Sequence, residues 1–323
     1  MGRKYLARKI FHALVTLAFV TAFNFYLFRI MPGDPVRLLA RSSKSHMSVQ
    51  AMAAITHDLG LDRPLPQQFV VYVRSTLTGD LGTSFISGRR VTSVIRESAW
   101  PTVLLVGTAT LLSTVFGLWA GIRGAWRRGS LFDTSSLFGS LILYSAPEGW
   151  LGMMLLIFFV GTLHWFPAGQ MSSNQGATGF AHISDVLFHL FLPCLTLTLG
   201  YIGEYHIIMR SSLLEVMGED FVTTARAKGV PDRLVRQRHA VPNALLPSLT
   251  LVFYSFGFVL GGAVIVETVF SWPGLGLLTY NSINELDFQV IEGIFLIFSA
   301  AVILSNLLAD ILYGYLDPRV REA

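Results

Sequence analysis

Long apolar stretches, separated by shorter polar segments, make up most of the chain. A bilayer-spanning helix needs about 20 mostly apolar residues, and stretches of that length predict six membrane spans. The predicted spans cover residues 10–30, 97–123, 135–166, 187–209, 246–266 and 290–312. The third stretch is too long for one simple span. Pro147 and its neighbours predict a break in it, so that its main part runs over residues 150–163.

The longest polar segment of the chain covers residues 31–98. Helices are predicted at 48–59, which begins with a capping serine, and at 66–77, which has an amphipathic pattern. Prolines and glycines predict turns at 61–66 and 79–82. Aromatic and β-branched residues are frequent, unlike in disordered linkers, so we interpret the segment as a small folded appendage on one face of the membrane.

Composition supports a polytopic membrane protein over a soluble enzyme. Hydrophobic residues make up 52% of the chain and charged residues only 14%, whereas soluble domains carry roughly 25% charged residues. The net charge of +4 does not indicate nucleic-acid binding, because the basic residues fall between apolar stretches and form no single patch. The one cysteine, Cys194, lies in an apolar stretch and is interpreted as a small buried residue.

Basic residues alternate along the chain as the positive-inside rule requires. Lys and Arg number four in the N-terminal tail, three in 123–130, six in 210–247 and two after residue 317. The segments 164–186 and 271–289 contain none. The pattern predicts six spans with both termini in the cytoplasm. Residues 31–98 carry eight basic residues on the outer side, but segments longer than about 60 residues are largely exempt from the rule.

Motifs for chemistry are missing from the sequence. It contains no GxxxxGK[ST] loop for phosphates, no HExxH or GxSxG, and no Cys/His cluster with metal-ligand spacing. We therefore predict no catalytic and no metal-binding residues. Glu204 and His206 lie within the fourth predicted span. Either they are a polar lining of a translocation pathway, in which Glu204 meets a cationic group, or the span ends early and both side chains reach for the interface.

The polar segment 210–247 separates the fourth and fifth predicted spans. A short helix is predicted at 220–228, because Gly229 occupies the position after a helix C-terminus and Pro231 cannot continue the helix. The segment carries six basic residues, which is typical of a cytoplasmic segment. We interpret it as a docking surface that faces the cytoplasm.

Several motifs of the chain resemble those of one transporter family. Residues 224–229, Thr-Ala-Arg-Ala-Lys-Gly, are followed eighteen residues later by Pro247. This pattern resembles the cytoplasmic "EAA" loop of ABC-importer permeases of the dipeptide/oligopeptide/nickel family, and in particular the B-type dipeptide permease subunit. The stretches 29–35, 59–68, 79–84, 261–276 and 316–319 are also similar to family stretches. The general consensus has Glu where this chain has Thr223, and its absence is usual for the peptide subgroup.

The resemblance implies an all-α polytopic membrane protein with the six transmembrane helices of a type I ABC importer permease. Its implied organisation is a cytoplasmic tail with the first helix (1–30), an extracytoplasmic segment (31–98), a transmembrane core (99–312) that carries a cytoplasmic coupling loop (210–247), and a cytoplasmic tail (313–323). The implied location is the bacterial cytoplasmic (inner) membrane, where the chain crosses the lipid bilayer several times with both termini in the cytoplasm.

The implied function is that of the permease subunit of an ATP-driven importer for di- and oligopeptides. One such chain makes half of the translocation pathway, and a homologous second permease makes the other half. Two ABC ATPase subunits and an extracytoplasmic substrate-binding protein are the further implied partners, and no nucleic acid is expected. The chain itself binds no cofactor, since ATP and Mg are used by the ATPase subunits.

The resemblance also implies roles for particular residues. The implied ATPase-coupling helix contains Asp220, Thr223, Thr224, Ala225, Arg226, Ala227, Lys228 and Gly229. Its small residues would allow close approach of the backbone to an ATPase groove, and Arg226 and Lys228 would pair with acidic groups there. Glu267, Trp272 and Pro273 are expected at an extracytoplasmic contact or gate. An alternative role for Trp272 and Pro273 is anchoring at the membrane interface.

Other functions stay open at the level of sequence. Members of the same family import nickel chelates, haem or glutathione. A stand-alone secondary transporter or channel would need its own coupling-ion residues and no docking loop, and co-purification of ATPase subunits distinguishes it from an importer permease. A membrane-bound hydrolase would need a nucleophile or metal constellation, and the sequence contains no motif for either.

Overall fold

The computed structural model describes residues 3–30, 56, 62–173, 178–259 and 263–316. These residues are helical apart from turns, irregular segments and one isolated bridge between Thr83 and Arg90. In chain order the helices are α1 Arg3–Ile30, α2 Leu65–Leu77, α3 Val91–Trp126, α4 Leu131–Ser145, α5 Glu148–Leu155, α6 Phe180–Val216, α7 Asp220–Ala227, α8 Asp232–Leu234, α9 Val241–Val259, α10 Val264–Val269, α11 Leu275–Glu285 and α12 Phe288–Leu316. Two π-helical segments, Leu156–Thr162 and Val235–Ala240, follow α5 and α8.

Four helices of the described chain are long and apolar enough to cross a membrane. They are Lys4–Arg29, Val91–Trp126, Phe180–Val216 and Phe288–Ile311. A fifth candidate is the third predicted span, which is broken where the sequence predicts it: Leu131–Ser145 and Glu148–Thr162 meet at 101°. The predicted fifth span divides between α9 and α10, and residues 260–262 between them lie outside the described residues. The count of six spans therefore stays a prediction.

The appendage predicted at 31–98 is described only in part. Its helix predicted at 48–59 falls outside the described residues except for Thr56. The amphipathic helix predicted at 66–77 is confirmed as α2. The turn predicted at 79–82 is also confirmed, since Gly79 and Gly82 have φ of +75° and +80°. Residues 91–98 are part of α3. This helix contains the second predicted span and starts earlier than the apolar stretch that predicted the span.

The chain forms two compact units, which we name the terminal unit and the central unit. The terminal unit comprises Met1–Pro101, Leu260–Val264 and Pro273–Ala323, and the central unit comprises Thr102–Val259 and Ile265–Trp272. This division follows contacts between parts of the chain that are distant in sequence. The predicted organisation into tail, extracytoplasmic segment, core and coupling loop stays a prediction.

In the terminal unit, α1 packs against α12 in antiparallel orientation. Lys9 Nζ lies 2.9 Å from Asp310 Oδ2 near one end of the pair. Near the other end, Asn24 Nδ2 donates a hydrogen bond to the Glu292 carbonyl oxygen at 3.2 Å. A cluster of buried apolar residues joins α3, α11 and α12, and its members are Val91, Ile95, Leu275, Val290 and Ile294.

In the central unit, glycines bring α3 and α6 into close contact. A Cβ atom on Gly117 would lie 2.6 Å from Tyr205 Cβ, and one on Gly121 would lie 2.8 Å from Met209 Cβ. Real Cβ contacts are not that short, so only glycine allows this helix crossing. The crossing continues toward the C-terminal end of α6, from which the chain enters α7.

Candidate functional site

Helix α7 ends as the sequence predicts, within one residue. It covers Asp220–Ala227, Lys228 is its C-cap, and Gly229 follows with φ +74°. The Gly229 amide donates to the Arg226 carbonyl at 2.9 Å and the Val230 amide to the Ala225 carbonyl at 3.3 Å. This pair of bonds is a Schellman motif, whose left-handed position favours glycine. The motif ends the helix sharply and turns the chain toward Pro231.

The two faces of α7 have different environments. Val222 and Ala225 are buried, while Phe221, Thr223 and Thr224 are exposed. The other exposed residues of the predicted coupling helix are Asp220, Arg226, Ala227, Lys228 and Gly229. The small side chain of Ala225 therefore packs against its own chain, and the outward face consists of small, polar and basic residues with one aromatic ring.

A buried apolar cluster supports the inward face of α7. Val222 and Ala225 belong to it, together with Ala125 of α3, Met209 and Leu213 of α6, and Val235, Ala240 and Ala244 of the return path to α9. Val230, the residue after Gly229, packs against the same cluster. Ser212 Oγ donates to the Ala244 carbonyl at 2.9 Å, which joins α6 to α9 directly. The exposed face of α7 is thus held by three long helices.

Trp126, the last residue of α3, contacts two basic residues, one in α7 and one in the segment that follows it. Its Nε1 donates to Asp232 Oδ2 at 2.8 Å, and the guanidinium groups of Arg226 and Arg236 lie 5.5 and 5.9 Å from its ring centroid. Arg226 also lies 3.7 Å from Asp232. Arg226 is therefore positioned by its own chain through cation–π and ionic contacts, while Lys228 stays exposed on the outward side.

A bidentate ion pair joins the start of α4 to α6. Arg210 Nε and Nη2 donate to Asp133 Oδ1 and Oδ2 at 2.6 and 2.9 Å. Asp133 also accepts from the Gly129 amide at 3.0 Å, and its own amide donates to the N-cap Ser130. Arg210, which the sequence analysis counted among the basic residues of the docking segment, therefore has a structural partner in the first turn of α4.

Glu204 and His206 lie in the middle part of the long helix α6, which continues to Val216. A helix of 37 residues is longer than the roughly 20 that cross a bilayer, so the interpretation that the span itself ends before them stays a prediction. His206 is fully buried near Gly124 and Asp133, and neither of its ring nitrogens has a hydrogen-bond partner in the described structure. Glu204 is half-buried. Their places on opposite sides of α6 do not bring the two side chains together, and a role in the pathway stays a prediction.

The residues predicted for an extracytoplasmic contact or gate have different surroundings. Glu267 is fully buried and accepts a hydrogen bond from Thr102 Oγ1 at 2.8 Å. Trp272 is fully buried, and its amide donates to the Glu267 carbonyl at 2.8 Å. Pro273 is exposed. The contact role stays a prediction for all three.

Three residues of the α7 region were missed by sequence reasoning: Phe221, Trp126 and Asp232. Phe221 is an aromatic residue that keeps 42% of its surface exposed on α7. The signal for it was available, since an aromatic side chain beside Asp220 in a polar amphipathic helix is unusual. No local signal could have paired Trp126 with Asp232, because 106 residues separate them.

Comparison with known families agrees with this architecture. Residues 113–322 match the family described as binding-protein-dependent transport system inner membrane component. Residues 2–106 match the corresponding N-terminal family of membrane components. The chain belongs to the inner-membrane permeases of binding-protein-dependent ABC transport systems. The predicted family is thereby confirmed over nearly the whole chain.

Individual relatives match this permease along nearly their full length. A probable peptide ABC transporter permease of Sinorhizobium fredii is 36% identical over 318 residues, which cover 98% of this chain and 99% of the relative. A di/tripeptide transport system permease of Pseudomonas aeruginosa is 36% identical, with 98% of each chain covered. A glutathione transport system permease of Salmonella choleraesuis is also 36% identical, again with 98% of each chain covered. The permease is thus a membrane component and not the catalytic subunit of such a system.

Proposed function

We propose that this permease forms half of the translocation pathway of an ATP-driven importer for di- or oligopeptides. A homologous second permease supplies the other half, and two ABC ATPase subunits drive the cycle with ATP and Mg. The chain crosses the cytoplasmic membrane six times with both termini in the cytoplasm. An extracytoplasmic binding protein delivers substrate to the outer segments, 31–98 and 271–289.

The exposed face of α7 carries this proposal. The helix is short, ends in a Schellman motif at Gly229, and rests on an apolar cluster built from α3, α6 and the start of α9. A force on such a helix is transmitted to these longer helices, because packed cores resist compression. Phe221 provides an apolar anchor for a groove on the ATPase, and Lys228 provides a cation for its acidic groups.

The substrate class rests on the relatives. Their names specify peptides, di- and tripeptides, and glutathione, which is itself a small peptide. We therefore propose small peptides as the substrate class of this permease.

Replacement of Gly229 tests the docking role of α7. In proteoliposomes with the partner permease and ATPase subunits, we expect G229V to reduce ATP-driven peptide uptake about tenfold or more. A β-branched residue in the left-handed region costs at least about 1–2 kcal/mol and unwinds the Schellman turn. G229N should retain most of the uptake, because Asn tolerates this conformation.

Gly79 provides a matched control for this experiment. It has φ +75° and, like Gly229, no atom of the described chain within 4 Å of where a Cβ would lie, its two neighbours in the chain apart. G79V therefore introduces comparable backbone strain far from α7 along the chain. Co-purification of the ATPase subunits should be lost with G229V and retained with G79V. Retention of ATPase and of full uptake by G229V would contradict the proposed docking helix.

A further inference from the structure

A polar cavity of about 250 Å³ lies in the terminal unit. It is bordered by the end of α1, by α2, by the turn at Gly82 and by the first turns of α12. Its charged and hydrogen-bonding lining includes Arg29, Arg63, Gln68, Tyr72, Asp80 and Glu292. Pockets for drug-sized ligands measure about 300–1,000 Å³, so this cavity suits a smaller molecule.

Glu292 is the residue of this cavity whose hydrogen-bonding capacity is not fully used. The residue is only 7% exposed, and its Oε1 atom has no hydrogen-bond partner in the described structure. A buried carboxylate is costly unless a cation or hydrogen-bond donor compensates it. A ligand that places a cationic donor in the cavity would supply what this oxygen lacks.

The surrounding polar residues are held in place by the protein. Asn24, itself 4% exposed, donates to the Tyr72 hydroxyl oxygen at 3.0 Å and to the Glu292 carbonyl at 3.2 Å. Arg29 Nε donates to Gln68 Oε1 at 2.9 Å, and its guanidinium lies 5.3 Å from the Phe25 ring centroid. Contacts from α1, α2 and α12 therefore fix the cavity wall before any ligand binds.

The charges of the wall favour a ligand with both signs of charge. The lining contains two guanidinium groups and two carboxylates. Burial, and next the Glu292 carboxylate, raise the pKa of the Tyr72 phenol, so that it stays a neutral hydrogen-bonding group. A simple anion would be repelled by the carboxylates and a simple cation by the guanidinium groups.

We propose that this cavity binds a small molecule that carries a primary ammonium and an anionic group. The ammonium is held at Glu292, and the anion lies toward Arg29 and Arg63. Two sources have this chemistry: a short peptide, and the headgroup of phosphatidylethanolamine. The peptide source rests on the proposed function, whereas the lipid source does not.

The first experiment measures dipeptide binding to the full chain, purified with its partner subunits in nanodiscs of phosphatidylcholine only. Dialanine is the probe, and N-acetyl-dialanine is the same molecule without its ammonium. We expect saturable binding of dialanine by calorimetry, at least about tenfold weaker binding with E292Q, and similarly weak binding of the acetylated probe to the unmodified protein. E285Q is the matched control, because Glu285 is an exposed carboxylate of the same unit outside the cavity.

The second experiment tests the lipid source by mass spectrometry of complexes taken from equimolar phosphatidylethanolamine and phosphatidylcholine. Selective retention of phosphatidylethanolamine by the unmodified protein and by E285Q, but not by E292Q, assigns the cavity to the lipid headgroup. Tenfold loss of dialanine binding with E292Q assigns it to peptides.

The proposal is overturned if E292Q changes neither dialanine binding nor lipid retention. It is also overturned, for peptides, if N-acetyl-dialanine binds as tightly as dialanine. Neither experiment uses ATP hydrolysis, so G229V and the unmodified protein, each purified with the partner permease alone, should bind these probes equally. A failure of the cavity proposal is thereby distinguished from a failure of the docking helix.

Discussion

The α7 region of the central unit and the cavity of the terminal unit differ in whether their carboxylates have partners within the chain. Around α7, Asp133 is paired with Arg210, and Asp232 binds both Trp126 and Arg226. In the cavity, Glu292 is buried with one carboxylate oxygen that has no hydrogen-bond partner in the part of the chain that the structure describes.

The difference indicates two kinds of surface. A docking helix must keep its shape while a partner pulls on it, so Arg226, which positions the helix, is paired within the chain, while Lys228 stays exposed for the partner. A ligand cavity must leave some bonding capacity unused, because the ligand supplies the missing partner. Internal pairing near α7 and missing pairing near Glu292 are therefore the features that the following predictions test.

The largest expected effect is on stability, when one carboxylate is neutralised in each region and the two results are compared. D133N should lower the free energy of unfolding by about 3 kcal/mol, because it leaves the Arg210 guanidinium without its counter-ion. The value is at the low end for buried pairs, since 19% of the Arg210 side chain is exposed. E292Q should leave stability unchanged or raised, because it removes a buried charge that has no full compensation. Thermal unfolding in detergent measures both.

Equal destabilisation by D133N and E292Q would contradict the comparison. It would mean that Glu292 has a structural partner equivalent to Arg210, and that the cavity is part of the protein's own packing.

A smaller effect is expected from a methyl group at the crossing of α3 and α6. G121A should cost about 1–3 kcal/mol through overpacking, since its Cβ would lie 2.8 Å from both the His206 carbonyl oxygen and Met209 Cβ. G107A is the matched control in the same helix, because among the described residues no atom beyond the adjacent helix backbone lies within 4 Å of where its Cβ would be. There alanine should be neutral or stabilising by up to about 1 kcal/mol.

Uptake by the two glycine variants tests whether the crossing of α3 and α6 also matters for transport. If α3 and α6 transmit motion from α7, G121A should reduce ATP-driven uptake while G107A should not. Equal uptake and equal thermal stability for both variants would show that this crossing is not tightly packed.

The smallest effect is expected at alkaline pH, in the cavity. Because burial, followed by the Glu292 carboxylate, raises the pKa of Tyr72 above its usual 10.0, the unfolded chain loses this proton at lower pH than the folded chain. Stability is therefore fully present below pH 10 and decreases as the pH rises through the folded pKa. Y72F should remove this contribution, as measured by the difference between unfolding temperatures at pH 8 and pH 11. An identical pH dependence for Y72F and the unmodified protein would contradict it.

Much of the α7 region was predictable from sequence because its conformation is encoded locally. Gly229 and Pro231 alone predict where the helix ends, and its last residue, Ala227, differs from the predicted Lys228 by one position. The broken third span was predictable for the same reason, because Pro147 interrupts an apolar stretch. The contacts that hold these elements were not predictable, because their partners are distant in sequence.

Sequence by itself determined the apolar helices, the short polar helix α7 and the family, since each depends on local periodicity, on local capping residues or on motifs in a given order. Only the tertiary structure decided which charges are satisfied. Arg210 meets Asp133 across 77 residues and Asn24 reaches the Glu292 carbonyl across 268, and such contacts depend on how helices pack. Glu292 is one of the few ionisable residues within or near the predicted spans, but the cavity that it lines and the bonding capacity that its Oε1 leaves unused are recognisable only in the folded chain.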